Sequence, residues 1–398
     1  MTVRTGLDVA AAAGFPDLRG LRVGAICNPT SVDGRFRHLA DLLAAAPGVT
    51  LAALFGPEHG IRGAAQDMIG VAGDTIDPRT GVPVHSLYGD TFASLSPAPE
   101  MLRGLDALVF DVQDVGSRYY TFVYTMALCM RAAGRAGLKF VVLDRPNPID
   151  GVHVEGNLVR EPLRSFVGMY ELPARHGMTA GELAGLFDET HGAAERCDLA
   201  VVRCEGWDRR REWDATGLHW LPPSPNMPTV DTARVYPGGC LFEGTNLSEG
   251  RGTTRPFELW GAPWLDPYEL CDALAGERLP GVRFRPVYFE PTFHKHAGQS
   301  CGGAFWHVDD PDAFRPFLTG IACLRAARRL GGGSFRWRTE RYEFRDDVPA
   351  IDLLAGDAAV RAAIDADRPL AEIARGWDAE LARFAPLRAR HLLYPEVP

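Results

Sequence analysis

Lysine is almost missing from these 398 residues: Lys139 and Lys295 are the only two among 42 basic side chains, and the rest are arginine. With 51 acidic residues the formal charge is −9, which excludes a general basic field for a nucleic-acid backbone. Genome base composition accounts for the arginine bias without a functional reason, yet it leaves many guanidinium forks for local carboxylate recognition. The eight cysteines include no Cys-x-x-Cys pair, so reduced, mostly buried thiols are expected. No run of about 18 apolar residues occurs, which excludes an ordinary membrane-spanning helix. The first ten residues lack the long apolar stretch of an export leader, so a soluble chain with no visible export signal is expected. The loop Asn28-Pro-Thr-Ser31 carries no Gly-x-Gly-x-x-Gly, and Gly250-Arg-Gly252 lacks a third glycine, so a nicotinamide or flavin cofactor is disfavoured. A P-loop is absent as well, leaving nucleotide phosphoryl transfer without support.

What the chain does have is a recurring strand-end pattern. Leu51-Ala-Ala-Leu-Phe55 is an apolar run of strand length that stops at Gly56-Pro57 and then presents Glu58 beside His59. Such a break marks the carboxyl end of a parallel strand, where open α/β sheets build their ligand crevice. Residues 21–26 run in the same way into Asn28, 107–110 into Asp111, Gln113 and Asp114, 140–143 into Asp144-Arg145-Pro-Asn147, and 199–202 towards Glu205. Helical patterns over 36–45, 121–136 and 179–190 alternate with them, the last opening on a Thr179-x-x-Glu182 capping box. The alternation predicts an α/β class: a Rossmann-like, mostly parallel sheet with helices on its faces.

At this length, with 46% hydrophobic residues, two domains are expected. Four prolines around 221–228 break the βα rhythm, and a boundary is placed near 235, giving residues 1–235 and 236–398. The second part holds a glycine-rich loop over 242–253, strand-like pieces at 282–289 and 303–308, and helical stretches at 313–330 and roughly 357–392, a smaller α+β domain closing the cleft.

Competing chemistry is weaker. Gly298-Gln-Ser300-Cys-Gly302 matches a nucleophile elbow, but an elbow sits between a strand and a helix, and a strand follows here. His294-Lys-His296 would put two imidazoles on one strand face, yet no third ligand is identifiable, so no metal is expected. Purely structural readings also exist: Glu58 as a cap or a partner of Arg62, Asp111, Gln113 and Asp114 as a turn holding Arg118, and Asp144-Arg145 as an ion pair. The convergence of several polar strand ends favours a site.

Together Gly56-Pro-Glu-His-Gly60, Asp111-Val-Gln-Asp-Val-Gly-Ser-Arg-Tyr-Tyr120, Asp144-Arg-Pro-Asn-Pro148, Asn226-Met-Pro228, Glu243-Gly-Thr-Asn246, Glu249-Gly-Arg-Gly-Thr253 and Lys295-His296 resemble the exo-β-N-acetylmuramidases of the NamZ type over nearly the whole chain. The resemblance implies a glycoside hydrolase that removes N-acetylmuramic acid from non-reducing ends of peptidoglycan fragments, with its site between a Rossmann-like and a smaller α+β domain.

Glycoside cleavage needs a protonated acid at the leaving oxygen of an oxocarbenium-like transition state. Glu58, at an apolar strand end, suits that role, with His59 orienting it or touching the sugar. Asp111, Asp114, Glu243 and Glu249 are the candidates for a base or nucleophile, and the substrate's own 2-acetamido oxygen is an alternative. The lactyl carboxylate calls for an arginine, with Arg118, Arg145 and Arg251 ranked in that order. Tyr120 and Asn147 are expected against the ring, and Asn28, Arg62, Gln113, His176, Asn226, Lys295 and His296 complete the expected substrate-binding set. No cofactor, nucleic acid or membrane partner is expected, and oligomeric state is left open. A serine hydrolase using Ser300 and a non-catalytic amino-sugar binder are the alternatives. Cytoplasmic recycling of imported fragments would fit the missing leader, with export by another route also open.

Overall fold

A computed structural model describes residues 2–61 and 75–396. Its first sheet is built from β1 (Arg22–Cys27), β2 (Thr50–Gly56), β3 (Thr75–Ile76), β4 (Pro83–Ser86), β5 (Ala107–Asp111), β6 (Lys139–Leu143) and β7 (Asp198–Val202). The order is β3-β4-β2-β1-β5-β6-β7, parallel throughout except for the short edge strand β3. The order reverses beside β1, which makes the β1/β5 boundary the topological switch point.

Side chains alternate between the two faces of these strands. Val23, Ala25, Leu54, Val109 and Val141 pack with Leu7, Leu39 and Leu43 on one face. Ile26, Phe55, Leu108, Phe110, Phe140 and Val142 face the other way, onto the helix Phe122–Ala136 and a core that continues into the second sheet. Burial on both faces is why these strands read as unbroken apolar runs. The helix Ala180–Thr190 begins at the expected place, with Thr179 and Glu182 forming the reciprocal box.

The second sheet, β8 (Leu259–Ala262), β10 (Cys301–Val308) and β9 (Val282–Phe289), is antiparallel in the order β8-β10-β9. The mostly parallel sheet and the smaller α+β unit are thus both present. The helix Val230–Gly239 runs through residue 235 and lies so close to the helix Pro316–Gly331 that a Cβ on Gly320 would sit 2.5 Å from the Gly238 carbonyl. The chain end returns to the first sheet, where the Tyr394 hydroxyl donates to Asp144 Oδ2 at 2.6 Å.

Arg118 ties the halves together. Fully buried, it donates through Nη1 to the carbonyls of Asn157 and Leu172 and through Nη2 to those of Leu354 and Ala355, all at 2.7–2.9 Å. Burial pulls its pKa down. Among the described residues no helix is long and apolar enough to cross a membrane, and all eight cysteines are free thiols.

Candidate active site

The residues at the switch point bond extensively to one another, and Arg145 also lines a hollow of about 740 Å³ including its mouth, with Asp8, Val32 and Asp33. Asn28 Oδ1 accepts from the backbone and hydroxyl of Thr30, its Nδ2 donates to Pro223 O, and Gln113 donates to Asp114 O and Pro146 O. Arg145 forms a two-pronged pair with Asp111, Nε to Oδ1 at 2.6 Å and Nη2 to Oδ2 at 2.9 Å. Burial pushes the Asp111 carboxyl up although Arg145 opposes it. Asp144 does not pair with the Arg145 guanidinium; it accepts from Thr179, Gly181 and Tyr394. Asn147 donates to Met178 O and accepts from Ile149 N. Asp114 Oδ2 accepts from Gly116 N and lies 3.4 Å from His176 Nε2.

These groups are buried, and many of their polar atoms bond to one another. Arg118 and Arg145, ranked first and second as the carboxylate clamp, spend both Nη nitrogens of the one on carbonyls and Nε and Nη2 of the other on Asp111 and Val32 O, and neither lines the cleft described below. Asp111, Asp114, Asn28, Gln113, Asn147 and His176 do not line that cleft either, although Gln113 Oε1, Asp114 Oδ1 and His176 Nε2 are buried without a hydrogen-bond partner among the described residues. Arg62 lies outside the described residues.

The cleft opens at the neighbouring strand, β2. Glu58, His59, Tyr120 and Asn226 line it together with Glu243 and Arg251 from the second half of the chain, in an empty space of about 520 Å³ including its mouth. Gly56-Pro57 ends the strand, and His59 turns the chain with a left-handed φ of 69°, a conformation uncommon outside glycine. The turn places Glu58 beside the start of the helix Phe122–Ala136, where Thr121 Oγ1 donates to its Oε2 at 2.9 Å. The His59 ring meets Phe122 edge-on. Tyr120 stacks edge-on against Phe122 and Tyr236, and burial raises its hydroxyl well above the usual tyrosine value.

Glu243 stands on the other wall. Arg251 Nη2 donates to its Oε1 at 2.7 Å and the Tyr342 hydroxyl to its Oε2 at 2.7 Å. Arg251 is held out by the glycines beside it: Gly250 and Gly252 have φ of 79° and 81°, and a Cβ there would press within 2.3 Å of Leu259 O and 2.7 Å of Phe293 N. Behind it, the fully buried Glu249 lies 3.2 Å from Arg251 Nε, 3.1 Å from His294 Nδ1 and 2.9 Å from Lys295 Nζ. These cations, led by Lys295, hold its carboxyl far below the usual range against the cost of burial. Glu249 is therefore an internal counter-charge and not a cleft group.

Tyr342 and Glu343 escaped the sequence reading. Both line the cleft from a tight turn closed by reciprocal Tyr342–Arg345 backbone bonds, with Glu343 and Phe344 at φ of 44° and 67°. Two left-handed residues without glycine cost roughly 1–2 kcal/mol each, a local strain that presents Glu343 to the cleft. Composition offers no signal for it, since such turns ordinarily announce themselves by Asn-Gly or Gly. Thr121 and Ser224 also border the site, next to motifs that were read.

Ser300 is exposed and precedes β10 of an antiparallel sheet, so the strand-to-helix context of an elbow is absent. His294 and His296 sit on a turn with φ of 69° and 59°, not on a strand; His296 Nε2 lies 2.7 Å from Asn246 O. Among the described residues no group of three or more His, Cys, Asp or Glu side chains is arranged to hold a metal ion.

Comparison with known proteins matches residues 23–231 to the family model "Exo-beta-N-acetylmuramidase NamZ, N-terminal" and 234–394 to its C-terminal counterpart. A Bacillus subtilis (strain 168) protein, "Peptidoglycan beta-N-acetylmuramidase NamZ", is 44% identical over 392 residues, 98% of this chain and 91% of that one. Two crystal structures of DUF1343 family proteins from Bacteroides fragilis NCTC 9343 are similar: BF0371, with a TM-score of 0.89 and 34% identity over 99% of both chains, and BF0379, with 0.78 and 29% over 100% of both.

Proposed function

Because the chain belongs to the NamZ family of exo-β-N-acetylmuramidases and is a glycoside hydrolase, we propose that it releases N-acetylmuramic acid from non-reducing ends of peptidoglycan fragments with Glu58 as general acid. The observation that carries the assignment is the pair Glu58 and Glu243, brought from opposite halves of the chain to one cleft in different surroundings. Glu58 sits at a strand end against Thr121; Glu243 has one oxygen bonded to Arg251 and the other to Tyr342.

In this reading Glu58 gives its proton to the glycosidic oxygen as the bond to C1 breaks, water adds its oxygen to C1 and releases a proton to solvent, and Glu58 regains a proton from solvent for the next turnover. Glu243, with both oxygens already accepting, acts as a fixed negative charge beside the oxocarbenium-like centre. Arg251 is the arginine on the cleft wall among the described residues, and it meets the lactyl carboxylate. Tyr120, Tyr236 and Phe257 supply apolar surface for the ring.

The test is a pair of chromogenic β-glycosides, one of N-acetylmuramic acid and one of N-acetylglucosamine, which lacks the lactyl group. Release from the first alone is expected. Release from both at similar rates would remove the role of Arg251, and release from neither would overturn the assignment.

A further inference from the structure

The Lys295-His296 motif lies outside the cleft, in a second and wider groove of about 1600 Å³ including its mouth. The two hollows share walls. Residues 242–246 put Glu243 in the cleft and Thr245 and Asn246 in the groove, and residues 338–343 put Tyr342 and Glu343 in the cleft and Arg338 in the groove. Lys295 Nζ also donates to Phe242 O, on the same wall. Beneath that wall, Glu249 carries Arg251 of the cleft and Lys295 of the groove on one carboxylate.

The groove is lined by two indoles, Trp264 and Trp337, with Lys295, His296, Arg336 and Arg338; Glu340 is the carboxylate on its wall among the described residues. The rings are fixed from behind. Trp264 packs against Gly331 and meets Phe335 edge-on, and the Trp337 indole N–H donates to Asp365 at 3.0 Å. Arg336 is anchored through its backbone, whose N–H donates to Asn246 Oδ1, while its side chain is exposed and has no carboxylate within ion-pair distance among the described residues. Rigid aromatic faces beside an unspent guanidinium suit a sugar chain that carries carboxylates: the rings cover pyranose faces and the fork takes the acid. In a chain of net charge −9 this is local recognition, not a general basic surface.

We propose that this groove binds the remainder of the substrate, a carboxylate-bearing glycan strand on the leaving-group side of the scissile bond. The inference rests on the muramidase reading of the cleft. It assigns Arg336 as a specificity residue for long substrates, and the carboxylates it meets come either from further lactyl groups or from stem peptides.

The experiment compares wild type with Arg336→Glu and Arg336→Ala on three substrates: the chromogenic N-acetylmuramide, a peptide-free glycan strand and a strand bearing stem peptides. The expected result is a KM for strands about tenfold higher in Arg336→Glu, with kcat on strands, turnover of the chromogenic substrate and melting temperature unchanged. A larger effect on the peptide-bearing strand identifies stem carboxylates as the source, and equal effects identify lactyl groups. Unchanged strand KM overturns the groove, as does an equal loss on all three substrates in a folded variant. Calorimetric binding of the peptide-free strand to Glu58→Gln, with and without Arg336→Glu, reads the groove without turnover. Failure of the wild type on the chromogenic substrate would instead strike the cleft assignment, leaving the groove to be judged by binding.

Discussion

Two polar clusters stand at the carboxyl ends of one parallel sheet. At β1, β5 and β6, Asn28, Asp111, Gln113, Asp144 and Arg145 close on themselves: carboxylates meet a guanidinium, hydroxyls and backbone N–H groups, and the residues are at most 6% exposed. At β2, Glu58 is nearly as buried, at 7%, yet it borders a hollow completed by Glu243 and Arg251 from the other half of the chain. Burial and residue type do not separate the two; what differs is that Glu58 borders a hollow walled by both halves of the chain, whereas in the first cluster Arg145 borders one walled by the first half alone. Open α/β sheets commonly bind at the switch point; here that position holds the first cluster, and the cleft proposed for the reaction lies one strand outward.

The largest test of that contrast is Glu58→Gln. It is expected to lower kcat on the chromogenic N-acetylmuramide by about a thousandfold, within the range of general-acid effects, with a wild-type melting temperature. Asp111→Asn should do the reverse. It leaves Arg145 buried without its counter-charge, a loss of about 3–5 kcal/mol in urea unfolding, while activity per folded molecule persists. If the folded Asp111 variant were inactive and the Glu58 variant active, the roles of the two clusters would be exchanged.

Arg251→Ala tests the arginine assignment at smaller scale. The expected loss in kcat/KM on the N-acetylmuramide is about a hundredfold, mostly through KM, and free N-acetylmuramic acid should lose inhibition in proportion while N-acetylglucosamine does not. The same selective loss from a folded Arg145→Lys would place the clamp in the internal cluster and break the comparison.

How far the chain could be read follows the same line. The five apolar strands and the Thr179 capping box were legible because each is a local pattern. Glu58 was legible too, since an apolar run ending at Gly56-Pro57 places the next residues at a strand end. Arg118 and Arg145 were not, because a guanidinium's partner is set by tertiary packing: Arg118 bonds carbonyls up to 237 residues away, and Arg145 bonds Asp111 and not its neighbour Asp144. Glu343 was hidden for a third reason, a turn whose left-handed residues lack glycine. His294 and His296 alternate as strand residues would, yet positive φ at both positions makes a turn.

The smallest expected effect distinguishes the internal cluster by its protons. Burial lifts Asp144 from the usual 3.8 to about 6, against the hydrogen bonds from Tyr394, Thr179 and Gly181 that favour its charged form. Between those values the native state keeps a proton that the unfolded chain has released, so Asp144's contribution to stability is complete below the lower value and declines as pH rises towards the upper one. Asp144→Asn holds a neutral amide at every pH and should remove that decline. The difference in unfolding free energy between wild type and variant is therefore expected to shift against the wild type by on the order of 2 kcal/mol from about pH 4 to about pH 7. Taking the difference cancels carboxylates that titrate in the opposite sense, such as Glu249, whose depressed value makes its contribution fall as pH drops below the ordinary 4.5. A constant difference across the window would mean that Asp144 is charged in the native state throughout, and the internal cluster would then hold a second anion beside Asp111, balanced by hydrogen bonds from Thr179, Gly181 and Tyr394.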